Sequence, residues 1–170
     1  MTWRWGSRGG AKKKEGAKVL GDVEALATEA IDCGLKLHQR LGPGLFESVY
    51  ETLLAEGLAR RGLAVERQKS ISVEIDGIQL VNAFRADLLI EGKLLIELKS
   101  VERAAPVHVK QVLTYLRLMD LPLGLIMNFG EETFRTGLKR VVNNLSALSF
   151  PSRLRVNPRH AVSAHPDFDA

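Results

Sequence analysis

Apolar and polar positions recur along this chain with two periods, and the switches between them mark out its elements. From Gly21 to Gly42, GDVEALATEAIDCGLKLHQRLG spaces its apolar residues for one face of a helix, with Asp22 near the start and Gly42-Pro43-Gly44 as the stop. A second helical segment runs from about Phe46 to Arg61 and closes at Gly62. The period then drops to two. LAVERQKSISVEI and IQLVNAF read as strands joined by an Asp76-Gly77 hairpin turn, and ADLLIEGKLLIELK reads as a further hairpin. Pro106 stands where a helix should begin, VHVKQVLTYLRLMD keeps helical spacing, and LGLIMNFG is a short apolar strand ending at Gly130. The remainder, EETFRTGLKRVVNNL, predicts a short helix or turn and a last segment on the sheet edge. This order predicts an α/β (α+β) domain, a mixed sheet of four or five strands flanked by helices.

Composition narrows the picture at the ends. The chain has 170 residues and 45% hydrophobic content, enough for one packed domain, which the pattern places at about 19–148. Its formal charge of +4 is uneven: residues 1–18 hold six Lys or Arg against one Glu, and their Gly- and Lys-rich pattern predicts a basic disordered tail. Residues 149–170 carry three prolines and no sustained period, and are expected to form a flexible C-terminal tail. Between the tails, residues 19–151 hold 15 Lys or Arg against 17 Asp or Glu, whereas a protein that grips duplex over many phosphates needs a basic surface. Cys33 is the only cysteine, so an internal disulfide and a cysteine-rich zinc site are excluded. With no apolar run of membrane-spanning length and no signal-peptide core, the expected location is cytoplasmic.

The candidate chemistry lies in Phe84–Lys99, FRADLLIEGKLLIELK, where Asp87, Glu97 and Lys99 interrupt two apolar runs. On a solvated hairpin such residues form cross-strand ion pairs of little consequence. Here the strand LLIELK is apolar on both faces, which predicts burial on both and leaves Glu97 little access to bulk water. An unpartnered buried charge is costly, so the three together call for a ligand.

GLFESVYE carries the spacing G-x-x-E-x-x-Y at Gly44, Glu47 and Tyr50, and ADLLIEGKLLIELK carries D…E-x-K at Asp87, Glu97 and Lys99. On these motifs, from about residue 24 to 144, the chain resembles the GxxExxY family of the PD-(D/E)XK nuclease superfamily. The resemblance implies a restriction-endonuclease-like core, a nucleic acid substrate (DNA or RNA) and a divalent metal site. It also admits members of the fold that bind nucleic acid or a protein without cutting.

Phosphodiester hydrolysis gives these residue types a reason of its own. Mg²⁺, or Mn²⁺ in its place, takes hard oxygen ligands and keeps several waters, so two carboxylates and a backbone carbonyl suffice. Asp87 and Glu97 are the expected carboxylates, and the Leu98 carbonyl the third ligand. Side chains alternate along a strand, so Lys99 shares a face with Glu97 and is placed to orient or deprotonate the attacking water or to hold a phosphate oxygen. The resemblance adds Glu47 as the third acidic member. At 100° per residue, Leu54 and Leu58 fall within about 20° of it, so Glu47 points inward or along a cleft edge. Tyr50 is expected to fill the core rather than bond a carboxylate. Gln111 and Tyr115 fit a Q-x-x-x-Y spacing that the resemblance places near the metal, which makes Gln111 a further candidate. The low charge of the domain favours a weak or partner-assisted binder, or a short single-stranded or structured substrate, and a homodimer or a protein partner is a further expectation.

The opening hairpin also carries a geometric condition. If Glu91-Gly92 were a strict two-residue turn, Asp87 would face Ile96, and the two carboxylates would lie on opposite sides of the sheet. A shared ion requires a three-residue connection, Glu91-Gly92-Lys93, or a β-bulge before the acids.

Overall fold

A computed structural model describes residues 9–143 and 155–156. Two helices come first, α1 (Gly9–Leu41) and α2 (Glu47–Ala59), then a meander of β1 (Val65–Ile75), β2 (Ile78–Ile90) and β3 (Leu94–Lys99). Helix α3 (Pro106–Leu118) crosses over to β4 (Leu123–Asn128), and the short α4 (Phe134–Gly137), β5 (Leu138–Val142) and the two-residue β6 (Arg155–Val156) complete the order. The strands stand as β5-β4-β3-β2-β1-β6. Among the described residues only β3 and β4 run parallel; the α3 crossover makes that possible.

The expected mixed sheet with flanking helices is present, and the ends differ from the sequence reading. Helix α1 begins at Gly9, so Gly9–Lys18, read as disordered tail, are helical in the structure. Residues 1–8 lie outside the described residues, as do 144–170 except Arg155–Val156, which pair with Val73 and Glu74 at the free edge of β1. Local composition could not reveal this pairing, because strand addition depends on an edge supplied by residues far away in the chain.

Two apolar cores lie on the two faces of the sheet. Val23, Ala27 and Ala30 of α1 and Leu54 and Leu58 of α2 pack on Leu88, Ile90, Leu94, Ile96, Leu98, Leu125 and Met127. On the other face Val112 and Leu116 of α3 pack on Leu89, Leu95 and Ile126. Every residue of β4, and every residue of β3 but Lys99, is buried, as the two-faced apolar pattern of LLIELK predicted. Each fully buried leucine of this kind contributes about 1.5–3 kcal/mol.

A polar turn closes the functional end of the sheet. After β4, the fully buried Asn128 accepts at Oδ1 from Val101 N (3.0 Å) and Gly130 N (3.2 Å), and its Nδ2 donates to Val101 O (2.8 Å). Phe129 N donates to Lys99 O (2.7 Å). Gly130 has no room for a side chain, since a Cβ there would stand 2.5 Å from the Val101 carbonyl oxygen. The turn therefore clamps the chain as it leaves Lys99. Asn128→Leu strands two backbone groups of Val101 and is expected to cost about 2–4 kcal/mol in chemical denaturation. A loss under 1 kcal/mol would show that the clamp is dispensable.

Candidate active site

The site forms where β2 and β3 part. Their ladder pairs Ile90 with Leu94, Leu89 with Leu95 and Leu88 with Ile96, so the connection is the three-residue Glu91-Gly92-Lys93. Glu91 (φ 51°) and Gly92 (φ 63°) are both left-handed, which gives the turn its extra residue. This register sets Asp87 opposite Glu97, as a shared ion requires.

The ladder ends there. Asp87 Oδ2 accepts from Leu98 N (2.9 Å), a side chain taking a bond that a strand partner would otherwise take. Strand β2 also changes its facing at this point: Ala86 packs in the α3-side core, but Leu88 and Ile90 pack in the other. Strict alternation would put all three on one face. Across from Asp87 the register of β1 places Gln68, whose φ of 47° is unusual for a residue with a Cβ in mid-strand.

Four of the expected residues meet around one ammonium group. Lys99 Nζ donates to Glu97 Oε1 (2.8 Å) and Leu98 O (2.7 Å) and stands 3.9 Å from Glu47 Oε1. Glu47 reaches it from the first turn of α2 and is half-buried. Glu97 is 4% exposed, and its Oε2 is buried with no hydrogen-bond partner among the described residues. Burial pushes the carboxyl of Glu47 up, with Lys99 opposing. Burial likewise raises Asp87 against the Leu98 hydrogen bond, and burial followed by the Asp87 charge raises Glu97. For Lys99, burial alone would lower the pKa, but the bond to Glu97 and the surrounding carboxylates outweigh it and hold the ammonium protonated.

A second layer was missed in the sequence. Glu51, 6% exposed, accepts from Arg67 Nε (2.9 Å) and Gln68 Nε2 (2.6 Å), and Gln68 Nε2 also lies 3.3 Å from Asp87 Oδ1. The left-handed Gln68 thus ties Asp87 to a buried carboxylate on α2. One signal was available: Glu51 lies one turn after Glu47, on the same helix face.

Two other candidates make their hydrogen bonds away from the Lys99 ammonium. Gln111 Nε2 donates to Tyr115 Oη (2.6 Å), and the Tyr115 ring stacks on Phe84 at 3.9 Å. No hydrogen bond links Gln111 to the acidic cluster among the described residues. Tyr50 fills the core as expected, stacked on Phe129 at 4.4 Å, while its hydroxyl donates to Gly42 O (2.6 Å) and accepts from Leu45 N (3.3 Å). It fixes the Gly42-Pro43-Gly44 link that delivers Glu47.

The oxygen donors suit a hard divalent cation in type, and the orphaned Glu97 Oε2 is the one left open for it. Among the described residues, no three acidic, histidine or cysteine side chains converge closely enough to chelate an ion as they stand. The Lys99 ammonium occupies the bonds to Glu97 and Leu98 that an ion would use. Among the described residues no helix is long and apolar enough to cross a membrane. No curated protein and no solved structure matched the chain. Residues 24–141 match the family described as the PD-(D/E)XK nuclease superfamily, which covers both acidic motifs, and the chain belongs to that superfamily.

Proposed function

We propose that this chain is a Mg²⁺-dependent nuclease of the GxxExxY type, with Mn²⁺ as an alternative ion, that hydrolyses phosphodiester bonds of DNA or RNA in the cytoplasm. The observation that carries the reading is the buried Glu97 Oε2, left without a partner opposite Asp87 and beside Lys99. Asp87, Glu97 and the Leu98 carbonyl would hold the ion, with Glu47 joining from α2. When bound, such an ion would supply charge neutralisation at the phosphate and acidification of water at neutral pH. Lys99, beside these ligands, would turn its protons to a phosphate oxygen or to the attacking water. Gln68 and Glu51 hold Asp87 in place.

A second reading, a nuclease-fold protein that binds nucleic acid or a protein partner without cutting, is favoured by the Lys99 ammonium already seated among the carboxylates. Incubation with single- and double-stranded DNA and RNA separates the two. Cleavage that requires Mg²⁺ or Mn²⁺, stops in EDTA and is absent in Glu97→Gln is expected. Equal cleavage by Glu97→Gln would remove the site, and binding of any of the four without cleavage would establish the second reading.

A further inference from the structure

Past the acidic cluster β2 leaves β3. Their pairing ends at Leu88 and Ile96, while β1 and β2 stay paired out to Ile75 and Ile78, so the two continue as a ribbon. Arg85 stands on this ribbon two residues before Asp87, about 7 Å away along the strand. Its facing follows from its neighbours. Ala86 packs in the α3-side core and the Phe84 ring stacks on Tyr115 of α3, so alternation turns Arg85, between them, to the opposite face. That is the face on which Glu51 of α2 accepts from Gln68, and Gln68 meets Asp87.

The ion pairs of the meander leave this one side chain out. Four cations stand on β1, β2 and β3: Arg67 pairs with Glu51, Lys69 with Glu66 and Lys99 with Glu97. Arg85 is exposed and makes no ion pair and no side-chain hydrogen bond among the described residues. Ser70, directly opposite on β1, donates its hydroxyl to Asn82 Oδ1 instead. The cluster itself sets Glu47, Glu51, Asp87 and Glu97 against Lys99 and Arg67, both of which those carboxylates engage. A polyphosphate strand brought to such a site is repelled on either side of the reacting phosphate unless a further cation meets it. The Arg85 guanidinium, unpaired and on the same face, presents the planar fork that suits phosphate oxygens.

We infer that Arg85 binds a backbone phosphate next to the phosphodiester at the Asp87–Glu97 cluster, so that the nucleic-acid strand leaves the cluster along the β1–β2 ribbon. The distance from Asp87 is on the scale of one nucleotide step. This inference rests on the nuclease reading above and adds to it the path of the substrate. The ligand chemistry, a phosphodiester backbone, is common to DNA and RNA.

The test measures binding and turnover of the full chain. Labelled single-stranded DNA, single-stranded RNA and duplex DNA are titrated in EDTA and in Ca²⁺ over a series of salt concentrations. The proteins are wild type, Arg85→Gln, Arg85→Lys and a charge-matched control, Arg60→Ala, which lies at the far end of α2 from Glu47. Arg85→Gln is expected to weaken binding about tenfold for whichever strands wild type binds, and to make the slope of log K against log salt shallower by about 0.7–0.9, as the loss of one phosphate contact requires. Arg85→Lys is expected to keep the wild-type slope, and Arg60→Ala both slope and affinity. In Mg²⁺, Arg85→Gln should raise KM about tenfold and change kcat by less than about threefold, since the contact is the same in ground and transition states. Its melting temperature should match wild type, because the side chain it replaces is exposed and unbonded.

An Arg85→Gln slope and affinity equal to those of wild type, or an equal loss in Arg60→Ala, would overturn the subsite and leave the nuclease reading to the cleavage assay. An Arg85→Lys slope as shallow as that of Arg85→Gln would overturn it as well, and so would a fall in kcat at unchanged KM, which would place Arg85 at the reacting phosphate. If wild type binds without cleaving, the nuclease reading falls and the slopes still decide on Arg85. If it binds and cleaves none of the three, both fall.

Discussion

Lys99→Ala is expected to lower cleavage by about 10²–10⁴-fold while holding or raising the affinity for Mg²⁺. The two effects separate because the ammonium has two positions to fill. In the structure it bonds Leu98 O, an atom proposed to hold the ion, and Glu97 Oε1, the second oxygen of a proposed ligand, so an incoming cation must displace it. Removing it frees those oxygens and also leaves Glu97, 4% exposed, without its counter-charge. The metal-free variant should therefore melt below wild type, and added Mg²⁺ should restore more stability to it than to wild type. Isothermal titration gives the affinity, and a Mg²⁺ series of melting curves gives the restoration. A large fall in Mg²⁺ affinity would show that Lys99 supports the ion instead of standing in for it.

How far the sequence spoke for the site depended on how local each determinant was. The Asp87–Glu97 register was legible because it is set by the hairpin that carries both: a strict two-residue turn would part the acids, and Glu91-Gly92-Lys93 brings them opposite. The burial of β3 on both faces was legible from LLIELK alone. Glu47 was placed by helical phase, since Leu54 and Leu58 fix which way α2 faces. Gln68 was not legible. Its role depends on a left-handed backbone in mid-strand and on two partners, Glu51 on α2 and Asp87 on β2, that meet only after the helix packs on the sheet. The spacing of Gln111 to Tyr115 is local, and the structure joins the two by a hydrogen bond from Gln111 Nε2. The start of α1 at Gly9 shows the same limit, because the composition of GGAKKKEGAK is poor in apolar residues while the helix it joins is anchored further on, by Val23, Ala27 and Ala30.

Asp87→Asn is expected to abolish the stabilisation that Mg²⁺ gives and to leave the metal-free protein as stable as wild type or more so. An ion at a hundredfold excess over its dissociation constant stabilises by about 2.7 kcal/mol, and that increment is what the variant should lose. The metal-free gain follows from the setting of the carboxylate. Burial raises its pKa against the Leu98 hydrogen bond and the Lys99 charge, so the fold disfavours the ionised form, and the Glu51 charge adds to the cost. Asn removes the charge and keeps an oxygen for the Leu98 N bond; its new amide hydrogens then face Gln68, whose own amide must turn to present its oxygen. The pH dependence has a definite sign. A raised carboxylate costs the folded state stability above its raised pKa, where folded and unfolded chains are both ionised, and costs nothing once both are protonated. The advantage of Asn should therefore be full at high pH, begin to shrink as pH falls through the raised Asp87 value, and vanish below the ordinary carboxylate range. Melting curves of both proteins in EDTA across that range measure it. Equal Mg²⁺ stabilisation of mutant and wild type would take Asp87 out of the metal site, and an Asn advantage that grows on acidification would show that the buried charge is not what the substitution relieves.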